Sequence, residues 1–176
     1  NGTESYLDIS SRFQAAADQV YAGLYKRGFI STSSVIARRS DILAVKGFDT
    51  SLTVGQDFDL WLKLAALGDT KISVLDDPLT RYYITKDSIT SQTEKRLEST
   101  LLIALRHAPT LRSRPGGTWK SFVFRITAIH WEAIQAYRNK RRLATMLLTL
   151  LKFVFRVVKL SIWFISVENP SKENAL

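Results

Sequence analysis

The most informative segment of the chain is Gln56-Asp57-Phe58-Asp59-Leu60-Trp61, which leads into Leu62-Lys63-Leu64-Ala65. It predicts a mostly buried helix that begins at two carboxylates, because the free N–H groups and the dipole of a helix N-terminus favour negative charge. The residues alone leave three interpretations open. In the first, one aspartate caps the helix and the aromatic side chains belong to the core. In the second, Asp57 and Asp59 chelate a metal ion. In the third, one of them is a general base in a cleft while the other caps the helix.

Outward from this stretch, the hydrophobic periodicity predicts an α/β protein. The predicted helices cover residues 10–27, 38–45, 60–67, 91–107, 119–138 and 142–167. The predicted strands cover residues 29–37, 72–75 and 79–84. Gly28 and Gly47 are expected to end the first two helices, and Pro109 with residues 114–117 marks a linker. We therefore expect two parts, an α/β part over residues 1–112 and a helical extension over residues 113–176.

Charge divides the chain in the same way. The 176 residues carry a net charge of +9, with 45% hydrophobic and 23% charged residues, which is typical of a globular protein. Residues 1–100 hold 12 basic and 13 acidic side chains, whereas residues 101–176 hold 13 basic and 3 acidic ones. The chain has no cysteine, which excludes disulfides, thiol catalysis and cysteine-bound zinc. His107 and His130 are isolated in the sequence and are expected at the surface or in helix packing.

Five short motifs follow one another in a fixed order over residues 10–100. They are Gly28-Phe29-Ile30 with Ser33-Ser34-Val35-Ile36-Ala37-Arg38-Arg39-Ser40, Val45-Lys46-Gly47-Phe48-Asp49, the stretch quoted above, Asp77-Pro78-Leu79-Thr80-Arg81-Tyr82, and Asp87-Ser88-Ile89-Thr90. This order resembles the second half of the inverting family-2 glycosyltransferases of the GT-A fold. The chain begins at Asn1 and has Met146 as its single methionine, so we expect it to be the carboxyl-terminal portion of such an enzyme.

The resemblance implies a role for several residues. Asp57 matches the carboxylate that deprotonates the acceptor hydroxyl, and Gln56 stands where the family more often has a second acid. Asp59 matches the family's aspartate and is expected to cap the helix, while Trp61 is expected in the core or in the acceptor wall. Ser33 is a further candidate for substrate binding.

The resemblance also implies a sugar-nucleotide donor, a glycan or lipid-linked acceptor and a divalent metal ion, Mn²⁺ or Mg²⁺. Thr85 stands where the family often has a metal-binding histidine, and the family's Asp-x-Asp motif is not found in residues 1–30. The metal ligands are therefore expected outside this chain, which should not turn over alone. The alternative function is a degenerate, non-catalytic module that binds a membrane or another partner.

The basic tail has a different character. Residues 143–167 are long enough to cross a bilayer, but each of Lys152, Arg156 and Lys159 would cost about 2.5–3.5 kcal/mol near its centre. We expect these three cations to share one helical face and, with Trp163, to meet an anionic membrane surface through residues 138–167. The expected location is cytoplasmic, on the inner face of the plasma membrane. The alternative is a helix packed on the domain with a cationic solvent face. No nucleic-acid-binding signature accompanies the charge.

Overall fold

The computed structural model describes residues 19–28, 30–67, 72, 73, 75, 80 and 92–166. Most of these residues lie in α-helices, and residues 32–34 form a short 3-10 helix between the first two. The helices are α1 Val20–Arg27, α2 Arg39–Ala44, α3 Gln56–Ala65, α4 Thr93–Arg106, α5 Ala108–Arg112, α6 Trp119–Asn139 and α7 Leu143–Ser166.

The predicted α/β fold, a partial GT-A domain, is wrong, because the described part of the chain is helical and contains no strand or sheet. Over residues 30–37, where a strand was expected, the backbone is extended only on either side of the 3-10 helix. The Ser34 hydroxyl donates to the Ser31 carbonyl at 3.0 Å, a local bond that competes with strand pairing. Of the predicted strand over residues 72–75, residues 72, 73 and 75 are described and do not form a strand, whereas the predicted strand over residues 79–84 lies outside the described residues except for residue 80.

The helices themselves were predicted well. Gly28 ends α1 in the left-handed conformation, and its N–H donates to the Leu24 carbonyl at 2.8 Å. Helix α2 ends at a turn where Gly47 has a φ of 64°. Pro109 does not begin a loop, because it lies in the first turn of α5, where its missing N–H costs no hydrogen bond. Of the predicted first helix, residues 10–18 lie outside the described residues.

One hydrophobic core joins helices from both sides of the predicted linker. Its fully buried side chains come from α1, α3, α4, α5 and α6, and include Leu24, Tyr25, Leu60, Leu62, Ile103, Leu111, Phe122 and Ile126. The predicted extension thus packs on the same core as the residues before it.

Helices α6 and α7 form an antiparallel hairpin around the turn at residues 140–142. Near one end, the rings of Phe122 and Phe164 stack with centroids 4.5 Å apart. Farther along, His130 of α6 lies against Phe153 of α7, with ring centroids 5.2 Å apart. Arg112 closes the arrangement, since its Nη1 donates to the Phe164 and Ile165 carbonyls at 2.7 and 2.8 Å. These contacts satisfy backbone acceptors in the last turn of α7.

Candidate functional site

The site is built on the first turn of α3, which begins in an unusual way. Gly55 occupies the N-cap with a φ of 80°, a left-handed conformation that favours glycine, and no side chain in the described part of the chain caps the helix. A Cβ at Gly55 would also lie 3.1 Å from Cδ1 of Ile103. The capping role expected for an aspartate therefore belongs to Gly55. Both Asp57 and Asp59 fall inside the first turn, where the helix dipole favours their charge.

Asp57 is half-buried and is held by two uncharged donors. The Thr32 hydroxyl donates to Oδ2 at 2.6 Å, and the backbone N–H of Phe58 donates to Oδ1 at 2.8 Å. An ionised carboxylate offers about four acceptor positions. These two bonds therefore orient the carboxylate and leave positions open for a further donor.

Asp59 has the opposite environment. Its side chain is fully buried, its Oδ2 lies 2.6 Å from Nζ of Lys63, and its Oδ1 lies 2.9 Å from Nε2 of His107. Nη1 of Arg106 approaches the same Oδ1 at 3.2 Å. Burial alone would raise the pKa of Asp59, but the hydrogen bonds from Lys63 and His107 outweigh it and lower the pKa. Asp59 is thus an ionised structural group whose oxygens meet protein cations and an imidazole.

The imidazole of His107 continues this network to α1. The Tyr21 hydroxyl lies 3.0 Å from Nδ1 of His107, on the opposite side of the ring from Asp59. Burial lowers the pKa of His107, so the ring is neutral at pH 7. With its proton on Nε2, the ring donates to Asp59 and accepts from Tyr21. The chain of three side chains joins α1, α3 and the end of α4.

Arg106 extends the network to the loop before α3. Its Nη1 lies 2.7 Å from Oδ2 of Asp49, and the other carboxylate oxygen, Oδ1, accepts hydrogen bonds from the hydroxyl and the backbone N–H of Ser51. The bonds from Ser51 and then from Arg106 lower the pKa of Asp49 to about 2. The Asp49–Ser51 turn is thus held to α4 by Arg106, which also contacts the buried carboxylate of Asp59.

Phe58, between the two aspartates, is held from the other side by α6. The buried guanidinium of Arg125 lies 4.4 Å from the centroid of the Phe58 ring and donates to the Lys26 carbonyl at 3.4 Å. Gly28 gives this ring its space, since a Cβ there would lie 3.3 Å from two Phe58 ring carbons. The first turn of α3 is therefore fixed by α4 through Asp59 and by α6 through Phe58.

The remaining predicted site residues take different positions. Gln56 is half-buried, and its Nε2 donates to the Leu52 carbonyl at 2.7 Å. Trp61 is buried in the core, which is one of the two places expected for it. Ser33 is exposed in the 3-10 helix, next to the Thr32 that bonds Asp57. Thr85 lies outside the described residues.

The two aspartates do not form a chelating pair, because residues two apart point about 200° apart around a helix. The partners of Asp59 also occupy both of its oxygens. Among the residues that the structure describes, no group of three His, Cys, Asp or Glu side chains is arranged to hold a metal ion.

The sequence did not identify Thr32 as the partner of Asp57. It also did not identify Arg106 and His107 as partners of Asp59, or Tyr21 as the partner of His107. The sequence carries no signal for these contacts, because the partners lie 25 to 86 positions apart. The expectation that His107 has a packing role points in the right direction but does not reveal its hydrogen bonds.

A small groove between α4 and α6 is too small to be a candidate binding site. It has a volume of about 60 Å³, and Arg96 and Glu132 form an exposed ion pair beside it at 3.1 Å. Small-molecule sites usually measure several hundred Å³.

The tail residues predicted to face a membrane lie on one side of the continuous helix α7 but differ in exposure. Lys152 and Lys159 are exposed, and Trp163 is 36% exposed, but Arg156 is half-buried. Arg156 also acts electrostatically on the buried His130 of α6, which places it nearer the packed side of α7. None of the described helices is long and apolar enough to cross a membrane.

Comparison of the chain with known protein families, curated proteins and solved structures finds no match.

Proposed function

We propose that this chain supplies the acceptor-activating part of an inverting glycosyltransferase, with Asp57 as the general base. The observation that carries the proposal is the placement of Asp57: a half-buried carboxylate at a helix N-terminus, oriented by Thr32 and paired with no cation among the described residues. The ordered motifs that resemble family-2 glycosyltransferases supply the reaction class. The proposal does not require the sheet that the sequence wrongly predicted.

The chemistry needs a carboxylate with these properties. A sugar hydroxyl is a weak nucleophile, so a base within hydrogen-bond reach must accept its proton while the new C–O bond forms. Asp57 would take that proton as the bond from the anomeric carbon to the nucleoside diphosphate breaks, and the electron pair would leave with the diphosphate. Attack from the face opposite the leaving group inverts the anomeric centre. A divalent cation bound with the donor would neutralise the diphosphate.

The division of roles between the two aspartates favours Asp57 over Asp59 as the base. Asp59 is buried among Lys63, Arg106 and His107, and its oxygens are not available to a substrate hydroxyl. Asp57 keeps acceptor positions that no described residue fills, and the exposed hydroxyl of Thr32 that bonds it is followed along the 3-10 helix by the exposed hydroxyl of Ser33. Those hydroxyls could hydrogen-bond a polyhydroxylated acceptor. Among the predicted substrate-binding residues, Ser33 therefore stays a candidate, while Gln56 is engaged with backbone.

The acceptor is proposed to be a glycan or a lipid-linked saccharide, as in envelope polysaccharide synthesis. We place the reaction at the cytoplasmic face of the plasma membrane, where a lipid-linked acceptor and a basic, apolar helix would share one interface.

The test uses the full-length protein that carries this sequence, assayed with a panel of nucleotide sugars, Mn²⁺ or Mg²⁺ and a membrane fraction as the acceptor source. Asp57→Asn should lower kcat by roughly 10²–10⁴-fold, the usual contribution of a general base. Asp41→Asn is the matched control, because Asp41 is, like Asp57, a half-buried aspartate in the first turn of a helix, and its side chain bonds only its neighbour Ser40 among the described residues. It should leave turnover unchanged.

Two results would overturn the proposal. One is an Asp57→Asn variant that folds normally and turns over within a few-fold of the wild type. The other is a wild-type protein that neither binds nor consumes any nucleotide sugar in the panel.

A further inference from the structure

The outward face of α7 is apolar along its whole length. Eight large side chains on it are each between 55% and 70% exposed: Leu143, Leu147, Leu151, Val154, Phe155, Val158, Ile162 and Ile165. The helix has 24 residues, so this face runs for about 36 Å. Contiguous exposed apolar surface of this extent marks a site of interaction with a partner or a membrane.

The inward face of the same helix is already used. Thr149 and Phe164 are buried against α6, and Phe153 lies on His130. Leu160 and Val157 also pack against the core. The exposed apolar residues therefore lie on the opposite side of the helix from its packing face.

Cations border the apolar face. Lys152 and Lys159 are both exposed, and seven residues of separation place them nearly in line along the helix. Each follows a central residue of the apolar face, Leu151 or Val158, and so lies about 100° around the helix from it. Exposed Arg138, Arg141 and Arg142 add charge at the turn before α7, and α7 itself contains no Asp or Glu. The surface is thus apolar in the middle and cationic along one flank and one end.

We propose that α7 lies in the interface of an anionic lipid membrane, with this apolar face in the acyl boundary and the flanking cations on the headgroups. A lysine that flanks an apolar face can extend its charged end to the headgroup level while its methylenes stay in the apolar layer. Trp163, partly exposed near the end of the helix, is a residue type enriched at membrane interfaces.

The charge argues against two other occupants. A second copy of this chain would bring the same cations to a shared interface, where Lys152 and Lys159 would face like charge. An ordinary protein partner would require an acidic rim around an apolar centre, whereas an anionic membrane supplies both over any length. The inference does not depend on the sugar-transfer proposal, because it rests on the surface of α7 alone.

The experiment measures binding of the full-length protein to vesicles of phosphatidylcholine alone and of phosphatidylcholine with 30% phosphatidylglycerol, by co-sedimentation. The wild type should bind the anionic vesicles, bind the neutral ones at least tenfold more weakly, and lose affinity as salt increases. Basic residues near an anionic surface strengthen binding to it, so Lys152→Glu with Lys159→Glu should weaken binding at least tenfold.

Two further variants separate membrane binding from general effects. Leu151→Ser with Phe155→Ser removes two exposed apolar side chains and should weaken binding to anionic vesicles without lowering the thermal midpoint. Arg39→Glu with Lys95→Glu makes the same change in net charge on α2 and α4 and should leave vesicle binding within about twofold of the wild type.

The proposal is overturned if the control variant weakens binding as much as the α7 charge reversal does. It is also overturned if the wild type does not co-sediment with anionic vesicles and instead forms a dimer that the double substitution Leu151→Ser with Phe155→Ser dissociates. In that case a second copy covers the face. Loss of turnover in Asp57→Asn with vesicle binding intact would separate this inference from the proposed reaction.

Discussion

Asp57 and Asp59 lie two residues apart in one helical turn, yet their surroundings differ in every respect. Asp57 is half-buried and, among the described residues, bonds only a hydroxyl and a backbone N–H. Asp59 is fully buried and meets Lys63, Arg106 and a neutral histidine. The helix explains the difference, because a separation of two residues turns one side chain toward the core and the other toward the surface loop. The same residue type can therefore hold the fold together at one position and remain available for chemistry at the other.

The largest expected effect on stability comes from Asp59→Asn. This substitution keeps the shape of the side chain but removes the charge that Lys63 and Arg106 share. Breaking a buried ion pair by removing one partner costs about 3–5 kcal/mol, and the partial exposure of these cations reduces the expected loss to about 2–4 kcal/mol. Urea unfolding of the full-length protein measures it, with Asp41→Asn as the control, because no described cation pairs with Asp41. A loss below about 0.5 kcal/mol would show that the network does not hold α3 to α4.

A second effect should appear on acidification. Burial lowers the pKa of both His107 and His130 in the folded protein. The unfolded chain then binds protons that the folded protein does not, once the pH falls below the ordinary histidine pKa of about 6.5. The stability is therefore complete above pH 6.5 and decreases as the pH falls toward the lowered folded pKa values, with up to about 1.4 kcal/mol per pH unit from each histidine.

Unfolding midpoints in urea at pH 7.5, 6.5 and 5.5 measure this slope. His130→Gln should remove about half of it, because His130 lies between α6 and α7, away from Asp59. A stability that stays constant from pH 7.5 to 5.5 would contradict the neutral, buried state of both imidazoles.

The sequence predicts the surroundings of Asp57 and Asp59 only where the contacting residues are close together along the chain. The start of α3, its buried face and the importance of its two aspartates follow from about ten consecutive residues. The partners of Asp59 do not, because His107 is 48 positions away and only the packing of α4 on α3 brings it near. The prediction that an aspartate caps α3 is wrong for a local reason. Gly55 takes the N-cap position in the left-handed conformation, so both aspartates lie inside the helix.

The wrongly predicted strand and the different exposure of the α7 cations have equally specific causes. Residues 30–37 have β-branched and small polar side chains, but a strand needs a hydrogen-bonding partner, and Ser34 bonds Ser31 instead. In α7, helical spacing places Lys152, Arg156 and Lys159 on roughly one side. Only the position of α6 reveals that Arg156 borders the packed face while the lysines stay exposed.

The smallest expected effect concerns the orientation of Asp57. Thr32→Val removes the hydroxyl that donates to Oδ2 while keeping the shape of the side chain, and it should lower kcat three- to tenfold with little change in stability. Thr32→Ser restores a hydroxyl and should recover most of the activity, a rescue that a purely structural role of Thr32 would not produce. If valine and serine at this position give the same kcat, the bond does not position the carboxylate.

The most direct test of the division between the two aspartates is one experiment on three proteins: the wild type, Asp57→Asn and Asp59→Asn in the full-length chain. Thermal midpoint and transfer rate are measured on the same samples, below the melting temperature of the weakest variant. We expect Asp57→Asn to keep the wild-type midpoint and to lose roughly 10²–10⁴-fold in kcat, whereas Asp59→Asn should lower the midpoint by several degrees. An Asp57→Asn variant that melts early, or one that is stable and fully active, would contradict the division of roles between the two aspartates.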